Sequence, residues 1–330
     1  MSLTKGIFIV AAKRTPFGTY GGKFVKTSST QLQVTAAKAA LAAGNIDPNI
    51  VDSVIIGNVL MNTSSDGAFL PRHVLLHCGI PQDRHALGIN RLCGSGFQSI
   101  VNGAQSILTG ESNVVLTGGV DNMSQAPHVV RDARFGIPLG AAYQFEDSLW
   151  TGLTDTFCKL PMALTAEKLA EVYKVTRQEV DEFALRSQTL WKEAQAKNVF
   201  SSELAPVTIK VKKTDVTVDI DEHPKPKTTL ETLAKLPTVF KKDGVVTAGS
   251  ASINEAFGAQ TLACQKELKL NIEKLNVNGG AIAIGHPLAA SGARITTHLV
   301  HELRRKNLNY AIGSACIGGG QGIAVLIEKV

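Results

Sequence analysis

The stretch ALGINRLCGSGFQSIVNGAQSILTGESNVVLTGG, residues 86–119, decides the fold of this chain. It opens on a short apolar run at 86–90, which predicts a strand. Between Phe97 and Leu108 the apolar side chains recur at positions i, i+3, i+4, i+7, i+10 and i+11, which is one face of a helix. A second apolar run at 113–119 predicts the next strand. A strand, a helix and a strand in succession indicate a parallel βαβ unit.

The residues before this stretch continue the same alternation. Short apolar runs at Ile7–Ala12 and Ser53–Asn58 predict two further strands. An alanine-rich segment at Gln31–Ala43 predicts a helix, and a shorter helix is predicted near Phe69–His77. The first 120 residues are therefore expected to form an α/β unit with a largely parallel sheet.

The end of the chain repeats part of this pattern. Ser95 opens a helix 18 residues before Asn113, and Ser291 opens a helix 18 residues before Asn309, so both pairs are offset by 196 residues. The same offset carries Asn58 onto Asn254. These matches predict an internal duplication whose second copy is incomplete, because nothing corresponds to the first strand, the first helix and most of the second strand.

The region between the two copies has a different character. Thr176 and Glu179 form a capping-box signature at the start of a predicted amphipathic helix. Residues 201–247 combine Val/Thr alternation with prolines and lysines, which is typical of an insertion that carries ligand contacts. We therefore predict a first half at 1–120, an inserted loop domain at 121–249 and a second half at 250–330.

Composition narrows the class of protein. The net charge of +6 suits an anionic ligand, but the positive charge is too dispersed to indicate nucleic-acid binding. No apolar run approaches the roughly 18–20 residues that would cross a bilayer, and the run at Ile7–Ala12 predicts a strand and not a secretory signal. Five cysteines without clustering argue against a disulfide framework and for a reducing compartment.

Cys93 is the first candidate for chemistry. It lies between a predicted strand and the helix that begins near Ser95, so unpaired N–H groups at the helix N-terminus are expected to lower the pKa of its thiol. Gly94 and Gly96 leave room for a bulky thioester. The alternative is a buried, inert cysteine. The remaining cysteines, Cys78, Cys158 and Cys264, lack this context and are interpreted as core or surface residues.

His286 and Cys316 complete the set of candidates. His286 stands in GGAIAIGHP, residues 279–287, where it is able to take the proton of a thiol or to donate to an oxyanion; the alternative is a core histidine. Cys316 precedes a glycine run that includes Gly318, and the alternative there is an incidental cysteine in a hairpin. His301-Glu302 begins like a zinc motif, but arginine at position 305 excludes that motif, and no metal site is predicted.

The combination of these motifs resembles the thiolase family, and within it the mitochondrial branch that cleaves 3-ketoacyl-CoA. The resemblance covers nearly the whole chain. It rests on NRLCGSG at 90–96, NEAF at 254–257, GGAIAIGHP at 279–287, CIGGG at 316–320 and, at the N-terminus, VAAKRTP at 10–16. It implies two βαβαβαββ halves with mixed five-stranded sheets in an αβαβα layered arrangement.

The resemblance also implies roles for individual residues. Cys93 would attack the 3-keto carbon, and His286 would activate Cys93 and contribute to an oxyanion hole. Asn254 would hold a water in that hole. Cys316 would carry the proton to and from the α-carbon of acetyl-CoA, and the N–H groups of Cys93 and Gly318 would form a second hole. The expected activity is CoA-dependent cleavage of 3-ketoacyl-CoA in fatty-acid β-oxidation, reversible as a Claisen condensation.

The family's ligands and assembly follow from the same resemblance. Coenzyme A is expected as a co-substrate, with no permanently bound cofactor. Lys225, Thr228 and Ser252 fall where CoA contacts occur in the family; Lys225 replaces an arginine and so lacks its planar fork. The resemblance further implies a homo-oligomer, a dimer or tetramer, in mitochondria. No presequence is visible, so an uncleaved N-terminus would have to direct the chain there.

One departure from the family pattern is large. The family has several dozen residues between the segment at 248–252 and the Asn-Glu-Ala-Phe motif, whereas here Ile253 alone separates them. The missing piece would supply the last strand of the first half and the first strand, first helix and second strand of the second half. The resemblance implies that the first strand of each half lies in the middle of its sheet. Its loss should therefore cost more than the roughly 5–15 kcal/mol stability of a domain, unless the chain rearranges.

Three functional hypotheses remain open at this point. The first is a thiolase. The second is a catalytically impaired thiolase isoform that binds CoA or an oligomeric partner, which the shortened second half motivates. The third is a condensing enzyme of the ketoacyl-synthase type; that group uses a cysteine with two histidines, and Cys316 in the second position argues against it.

Overall fold

A computed structural model of the chain describes residues 6–250 and 257–330. Its helices are α1 (Ser29–Ala43), α2 (Leu70–His77), α3 (Ser95–Thr109), α4 (Ser148–Gly152), α5 (Met162–Tyr173), α6 (Arg177–Ala196), α7 (Leu230–Ala234), α8 (Gly258–Leu268), α9 (Ala281–Ile284) and α10 (Ala290–Lys306). Its strands are β1 (Ser53–Gly57), β2 (His85–Ile89), β3 (Val115–Gly119), β4 (His128–Val130), β5 (Phe145–Asp147), β6 (Thr154–Asp155), β7 (Leu160–Pro161), β8 (Val207–Val211), β9 (Thr214–Val218), β10 (Tyr310–Ile317) and β11 (Gln321–Glu328).

The first half is a parallel sheet packed between helices, as the alternating pattern predicts. β1 lies at the centre, with β2 on one side and β3 on the other. All five residues of β1 are buried, and their near-continuous apolar sequence is what a central parallel strand requires. The predicted helices at 31–43, 69–77 and 97–108 are all confirmed, within two residues at each end.

The N-terminal run is where the prediction is wrong. Residues 7–12 form no strand, and β1, not this run, occupies the middle of the sheet. Phe8 and Val10 are each 60% exposed. A strand forms only where a neighbour accepts and donates its backbone hydrogen bonds, and no described strand lies beside this run. The run therefore lies outside every sheet of the described residues.

The second half has fewer strands than the family pattern implies. Within the described residues it contains α8, α9, α10 and an antiparallel pair, β10–β11, where the family has a five-stranded sheet. This agrees with the predicted incomplete second copy. The first half has three strands, also short of five. The inserted region holds the predicted capped helix α6, with both capping-box hydrogen bonds of Thr176 and Glu179 formed, and the hairpin β8–β9. The domain boundaries at 120 and 249 stay predictions.

The two halves meet where α3 and α10 cross. A Cβ atom added at Gly96 would lie 2.3 Å from the carbonyl oxygen of Ala289 and 2.7 Å from the backbone nitrogen of Ala293. One added at Gly292 would lie 2.2 Å from the backbone nitrogen of Phe97. Both glycines belong to the Ser-Gly pairs of the internal repeat. The two helix N-termini are therefore in backbone contact, which only glycine permits.

A buried ion network holds the N-terminal segment to the rest of the chain. Arg14 contacts Glu203 through Nε at 2.7 Å and Asp221 through Nη1 at 2.7 Å. His298 on α10 approaches the other carboxylate oxygen of Glu203 at 2.8 Å. Burial opposes ionisation of Glu203, but the charge of Arg14 and the hydrogen bond from His298 lower its pKa to about 2. The network joins the first half, the inserted region and α10.

Because α3 and α10 touch through their backbones, a side chain at Gly96 should strongly destabilise the protein. Gly96→Val would force its Cβ into the backbone of the loop before α10. We therefore expect the free energy of unfolding to fall by about 3 kcal/mol or more, the upper end for overpacking. Urea unfolding followed by circular dichroism measures it. Gly322→Ala is the control, because its Cβ would meet nothing closer than 3.8 Å. Equal stability of the two variants would show that the helices do not need this contact.

The ion network predicts a pH-dependent contribution to stability. The folded pKa of Glu203 lies below its ordinary value of 4.5, so its contribution is complete above about pH 5 and fades as pH falls toward 2. Glu203→Gln should therefore lower the free energy of unfolding by about 3 kcal/mol at pH 7 and by progressively less below pH 4.5. Urea unfolding at a series of pH values measures this. Glu231→Gln, at an exposed ion pair, should cost less than about 0.5 kcal/mol. A pH-independent loss at Glu203 would contradict the network.

Candidate active site

Cys93 sits in a tight turn between β2 and α3. Leu92 adopts the left-handed conformation, with φ of 46°. Ser95 braces the turn, since its hydroxyl accepts from the N–H of Arg91 at 2.8 Å and donates to the carbonyl of Leu92 at 2.6 Å. Strain of this kind in a non-glycine residue is maintained where the surroundings fix it, often at functional sites. The turn presents Cys93 at the start of α3, as the sequence predicts.

The environment of Cys93 reverses one expectation about its thiol. Cys93 packs with Leu60 and Leu288 in an apolar cluster and is only 9% exposed. Burial raises the pKa of the thiol to about 12, and the nearby Cys316 adds to the rise, although the N–H of Gly318 opposes it. The predicted lowering by the helix N-terminus is therefore wrong for the free protein, because desolvation outweighs the helix dipole. At rest Cys93 is a neutral thiol.

Cys316 and Gly318 reach Cys93 from the second half. Both lie at the end of β10 and in the turn to β11. The backbone N–H of Gly318 donates to the sulfur of Cys93, and the charge of Cys316 acts on it. A Cβ at Gly94 would lie 2.3 Å from Cδ1 of Ile317, so the two segments touch. Burial raises the pKa of Cys316 to about 11, opposed by a hydrogen bond with Gln260. The structure therefore brings the two predicted thiols together.

His286 lies in the loop between α9 and α10, two residues before Leu288. Its Nδ1 contacts the hydroxyl of Ser291, so Ser291 braces His286 as its repeat counterpart Ser95 braces the turn of Cys93. Leu288, whose N–H donates to the carbonyl of His286 at 3.0 Å, packs against Cys93. Burial, with the charge of Arg294, holds the pKa of His286 well below 6.5. The imidazole is neutral at physiological pH and available as a base.

Asp121 is a site residue that the sequence analysis missed. It follows β3 and is fully buried, with its carboxylate accepting from the N–H groups of Val59, Leu60 and Ala289 at 3.0, 2.8 and 2.8 Å. Burial raises its pKa to about 7 despite these bonds, and its charge acts on Cys93. It ties the loop after β1 to the loop of His286. A polar residue at the carboxyl end of a parallel strand was the available signal.

Two predicted positions lie outside the described residues, Asn254 and Ser252. The last residue of the Asn-Glu-Ala-Phe motif, Phe257, is described. It belongs to a buried cluster with Ala163 and Val246, and Cys316 packs against that cluster. The end of the motif therefore lies beside the second thiol.

Lys225 and Thr228 lie in one turn next to the segment that leads to His286. The N–H of Lys225 donates to the side-chain oxygen of Gln188 at 2.8 Å, and the side-chain amide of Gln188 donates to the carbonyl of Ile282 at 3.2 Å. The hydroxyl of Thr228 donates to the carbonyl of Lys225 at 2.7 Å. The side chain of Lys225 is exposed. These residues are anchored near the site without contacting Cys93.

Three further features bear on the class of protein. The part of the chain that is described contains no group of three or more His, Cys, Asp or Glu side chains able to hold a metal ion. Among the helices of residues 6–250 and 257–330, none has the length and apolar character needed to cross a membrane. All five cysteines are free thiols, and Cys158 and Cys264 are exposed.

The comparisons with known proteins agree with this site. The chain is 50% identical to human mitochondrial 3-ketoacyl-CoA thiolase, with 100% of each chain covered. It is 36% identical to a probable acetyl-CoA acyltransferase of Staphylococcus aureus strain COL, covering 98% of this chain and 99% of the relative. The crystal structure of the human enzyme superposes with a TM-score of 0.96 at 49% identity, with 98% of each chain covered.

The alignment with the human relative also bears on the shortened second half. It spans 396 positions, whereas the chain has 330 residues, so the relative holds several dozen residues without a counterpart here. The human structure in complex with CoA superposes with a TM-score of 0.94 at 50% identity, and 98% of each chain is covered.

The family models divide the chain between them. The model of the thiolase N-terminal domain matches residues 7–265, and that of the thiolase C-terminal domain matches residues 228–329. Together they take in every predicted catalytic position, and the layered α/β arrangement around the α3–α10 crossing is that of the superposed thiolases. The chain therefore belongs to the thiolase family.

Proposed function

We propose that this chain is a 3-ketoacyl-CoA thiolase, which uses CoA to cleave 3-ketoacyl-CoA into acetyl-CoA and a shortened acyl-CoA. The observation that carries the proposal is the meeting of Cys93 and Cys316, with the N–H of Gly318 on the sulfur of Cys93. The curated human relative bears that activity in its name. A nucleophilic thiol with a second thiol as acid and base is what a two-step acyl transfer requires.

In the first step, Cys93 gives its proton to the neutral His286, and the thiolate attacks the 3-keto carbon. The bond between C2 and C3 then breaks, which leaves the acyl group on Cys93 as a thioester. The acetyl-CoA carbanion takes the proton of Cys316, which becomes a thiolate. Because His286 is neutral and Cys316 is protonated in the free protein, each group begins in the form that this step needs.

In the second step, the Cys316 thiolate takes the proton of free CoA, and the CoA thiolate attacks the acyl group on Cys93. Cys93 leaves as a thiolate and recovers its proton from His286, so the protein returns to its starting state. The backbone N–H groups of Cys93 and Gly318 stabilise the oxyanion of this step. Asn254 is proposed for the oxyanion hole of the first step, where it would hold a water.

Coenzyme A is proposed to bind along the inserted region. Lys225 offers a positive charge to a phosphate, and Thr228 and Ser252 offer hydroxyl groups. The support is that the turn holding Lys225 and Thr228 is fastened through Gln188 to the segment before His286. The related human enzyme has been solved in complex with CoA. Because lysine is a point charge and not a planar fork, its phosphate contact is weaker than that of arginine.

The setting of the reaction is proposed from the relatives. The curated mammalian relatives are named mitochondrial 3-ketoacyl-CoA thiolases, so we place this chain in mitochondria and in fatty-acid metabolism. A homo-oligomer, dimer or tetramer, stays a prediction. The non-catalytic isoform is not favoured, because the human and bovine relatives that match the whole chain are named as 3-ketoacyl-CoA thiolases.

The proposed division of labour between the two thiols is tested by separating the half-reactions. Cys316→Ala should lose C–C bond cleavage of acetoacetyl-CoA by at least about 10³-fold, because no acid protonates the acetyl-CoA carbanion. It should still accept an acetyl group on Cys93 from acetyl-CoA, although more slowly. In that step Cys316 would protonate the departing CoA, but a thiolate is a good enough leaving group to depart without this proton, whereas a carbanion is not. Thiolysis is followed by absorbance, and the acetyl group by intact-protein mass spectrometry.

The control for that experiment is Cys93→Ala, which should lose both half-reactions. Cys264→Ala, an exposed cysteine, should lose neither. If Cys316→Ala cleaves acetoacetyl-CoA at the rate of the unaltered protein, the role of Cys316 is refuted. If the unaltered protein is folded and cleaves neither acetoacetyl-CoA nor a longer 3-ketoacyl-CoA, the proposed function is refuted.

The raised thiol pKa of Cys93 predicts how the free protein reacts with an alkylating agent. Only the thiolate reacts, and the pKa of about 12 lies above the usable pH range. Iodoacetamide labelling of Cys93 should therefore be slow at pH 7 and rise about tenfold per pH unit between pH 8 and 10. Peptide mass spectrometry reports it, with the exposed Cys158 as an internal reference. Rapid labelling with a plateau near pH 7 would mean that the helix N-terminus dominates after all.

A further inference from the structure

A cavity of about 300 Å³ lies beside the parallel sheet of the first half. Residues of α1 line it on one face, and residues of α3 and α10 line it on the other. The remaining walls are β3 with the residues on either side of it, 114–124, and the N-terminal segment 7–20. The cavity is thus a slot in the sheet layer, between two layers of helix.

Both long edges of this slot are backbone without a strand partner. β3 pairs with β1 on one side, and no described strand pairs with its other side. Residues 7–12 run along the slot without pairing to any described strand. Exposed edges of this kind are templates for another strand. In most proteins they are covered or blunted, so an open, apolar slot with two such edges calls for an occupant.

We propose that this slot is an acceptor site for a β-strand, and that its occupant is an apolar peptide segment supplied by a longer thiolase chain. The incoming strand would add to the outer edge of β3 by main-chain hydrogen bonding. At 3.3 Å per residue, about five residues match the length of β3. Helices cover both faces of the slot, so the strand should be apolar on both faces, as buried parallel-type strands are.

The side chains that line the slot support an apolar occupant. They are mainly aliphatic on both helical walls, for example Leu32, Ala36 and Ala40 on α1 and Ile100, Ala104 and Ile107 on α3. Four charged side chains also line the slot, Lys13, Arg14, Asp121 and Arg294. Arg14 is engaged by Glu203 and Asp221, and Asp121 accepts from the N–H groups of Leu60 and Ala289. The aliphatic side chains outnumber the charged ones and favour an aliphatic occupant.

The source of the strand is argued from the comparison with relatives. The human relative holds several dozen residues without a counterpart in this chain, since 396 aligned positions face 330 residues. The two family models overlap over residues 228–265, which places the junction between them within that range. A longer thiolase therefore carries a segment that this chain lacks, and the slot lies in the part of the fold where the sheet stops short.

A strand bound in the slot would also affect the proposed active site. The slot is also lined by Val120, Asp121 and Pro287, and Asp121 is the residue that fastens the loop after β1 to Ala289. A bound strand would press against the loop after β3 and against the loop of His286. It would reach Cys93 only through Leu60 and Leu288, which pack against that residue. This consequence rests on the proposed function, whereas strand binding itself does not.

The test uses synthetic peptides that tile the segment of human mitochondrial 3-ketoacyl-CoA thiolase opposite the gap, each added to the intact chain. Amide hydrogen exchange read by mass spectrometry is the measurement. One peptide should slow exchange at Val115–Gly119 at least tenfold with 1:1 stoichiometry, and a scrambled peptide should not. Exchange reports binding whether or not the protein has thiolase activity, so failure here is distinct from failure of the proposed function.

A matched pair of variants locates the peptide. Ala36→Phe fills the slot from α1 and should weaken peptide binding at least tenfold. Ala42→Phe, on the exposed side of the same helix, should leave binding unchanged. Ala104→Leu fills the slot from α3 and serves if Ala36→Phe does not fold, as judged by circular dichroism.

Three results would overturn the proposal. The first is that no peptide slows exchange in β3, or that scrambled peptides do so equally. The second is that decanoate fills the slot and competes with the peptide without slowing β3 exchange, which would make it an acyl-chain pocket. The third is protection of β3 that rises with protein concentration without peptide, which would make a second copy of this chain the occupant.

Discussion

The backbone contact between α3 and α10 is the constraint on which the site depends. Gly96 and Gly292 allow the N-terminal ends of the two helices to touch. Cys93 lies in the turn before α3, and His286 lies in the loop before α10, so this contact positions the two segments that carry the proposed nucleophile and the proposed base. The Ser-Gly pair of each repeat thereby does two things: the glycine permits the approach, and the serine braces the catalytic turn beside it.

Burial decides the protonation states within that frame. A helix N-terminus favours a thiolate by about 0.3–1 kcal/mol at an exposed site, whereas a fully desolvated charge costs several kilocalories per mole. Cys93 and Cys316 are accordingly neutral, and so is His286. These three groups therefore carry no charge in the free protein, whereas Asp121, whose pKa burial raises to about 7, is partly ionised at neutral pH. Nucleophile activation therefore belongs to the substrate-bound state.

Prediction from sequence succeeded where the signal is local. The motifs around Cys93, His286 and Cys316 carry their glycines and serines with them, and the first-half strands and helices follow from periodicity, except Ile7–Ala12. That run has the composition of a strand, yet whether it pairs is decided by a neighbour far away in sequence. Asp121 was missed for the same reason: its partners, Leu60 and Ala289, come from distant loops. The sign of the Cys93 pKa shift also depends on burial, which no local pattern reports.

The ion network of Arg14 explains how the shortened fold stays open beside β3. With no strand partner, residues 7–12 would be expected to drift or collapse onto the sheet. Two contacts hold the end of the segment in place. The carbonyl of Ala12 accepts from His301 at 3.0 Å. Two residues further on, Arg14 forms ion pairs with Glu203 and Asp221. A buried ion pair adds little net stability, yet it is costly to break and so fixes geometry. The network therefore keeps residues 7–12 apart from β3. Without it, the apolar side chains of this segment would be expected to pack onto β3 and close the slot.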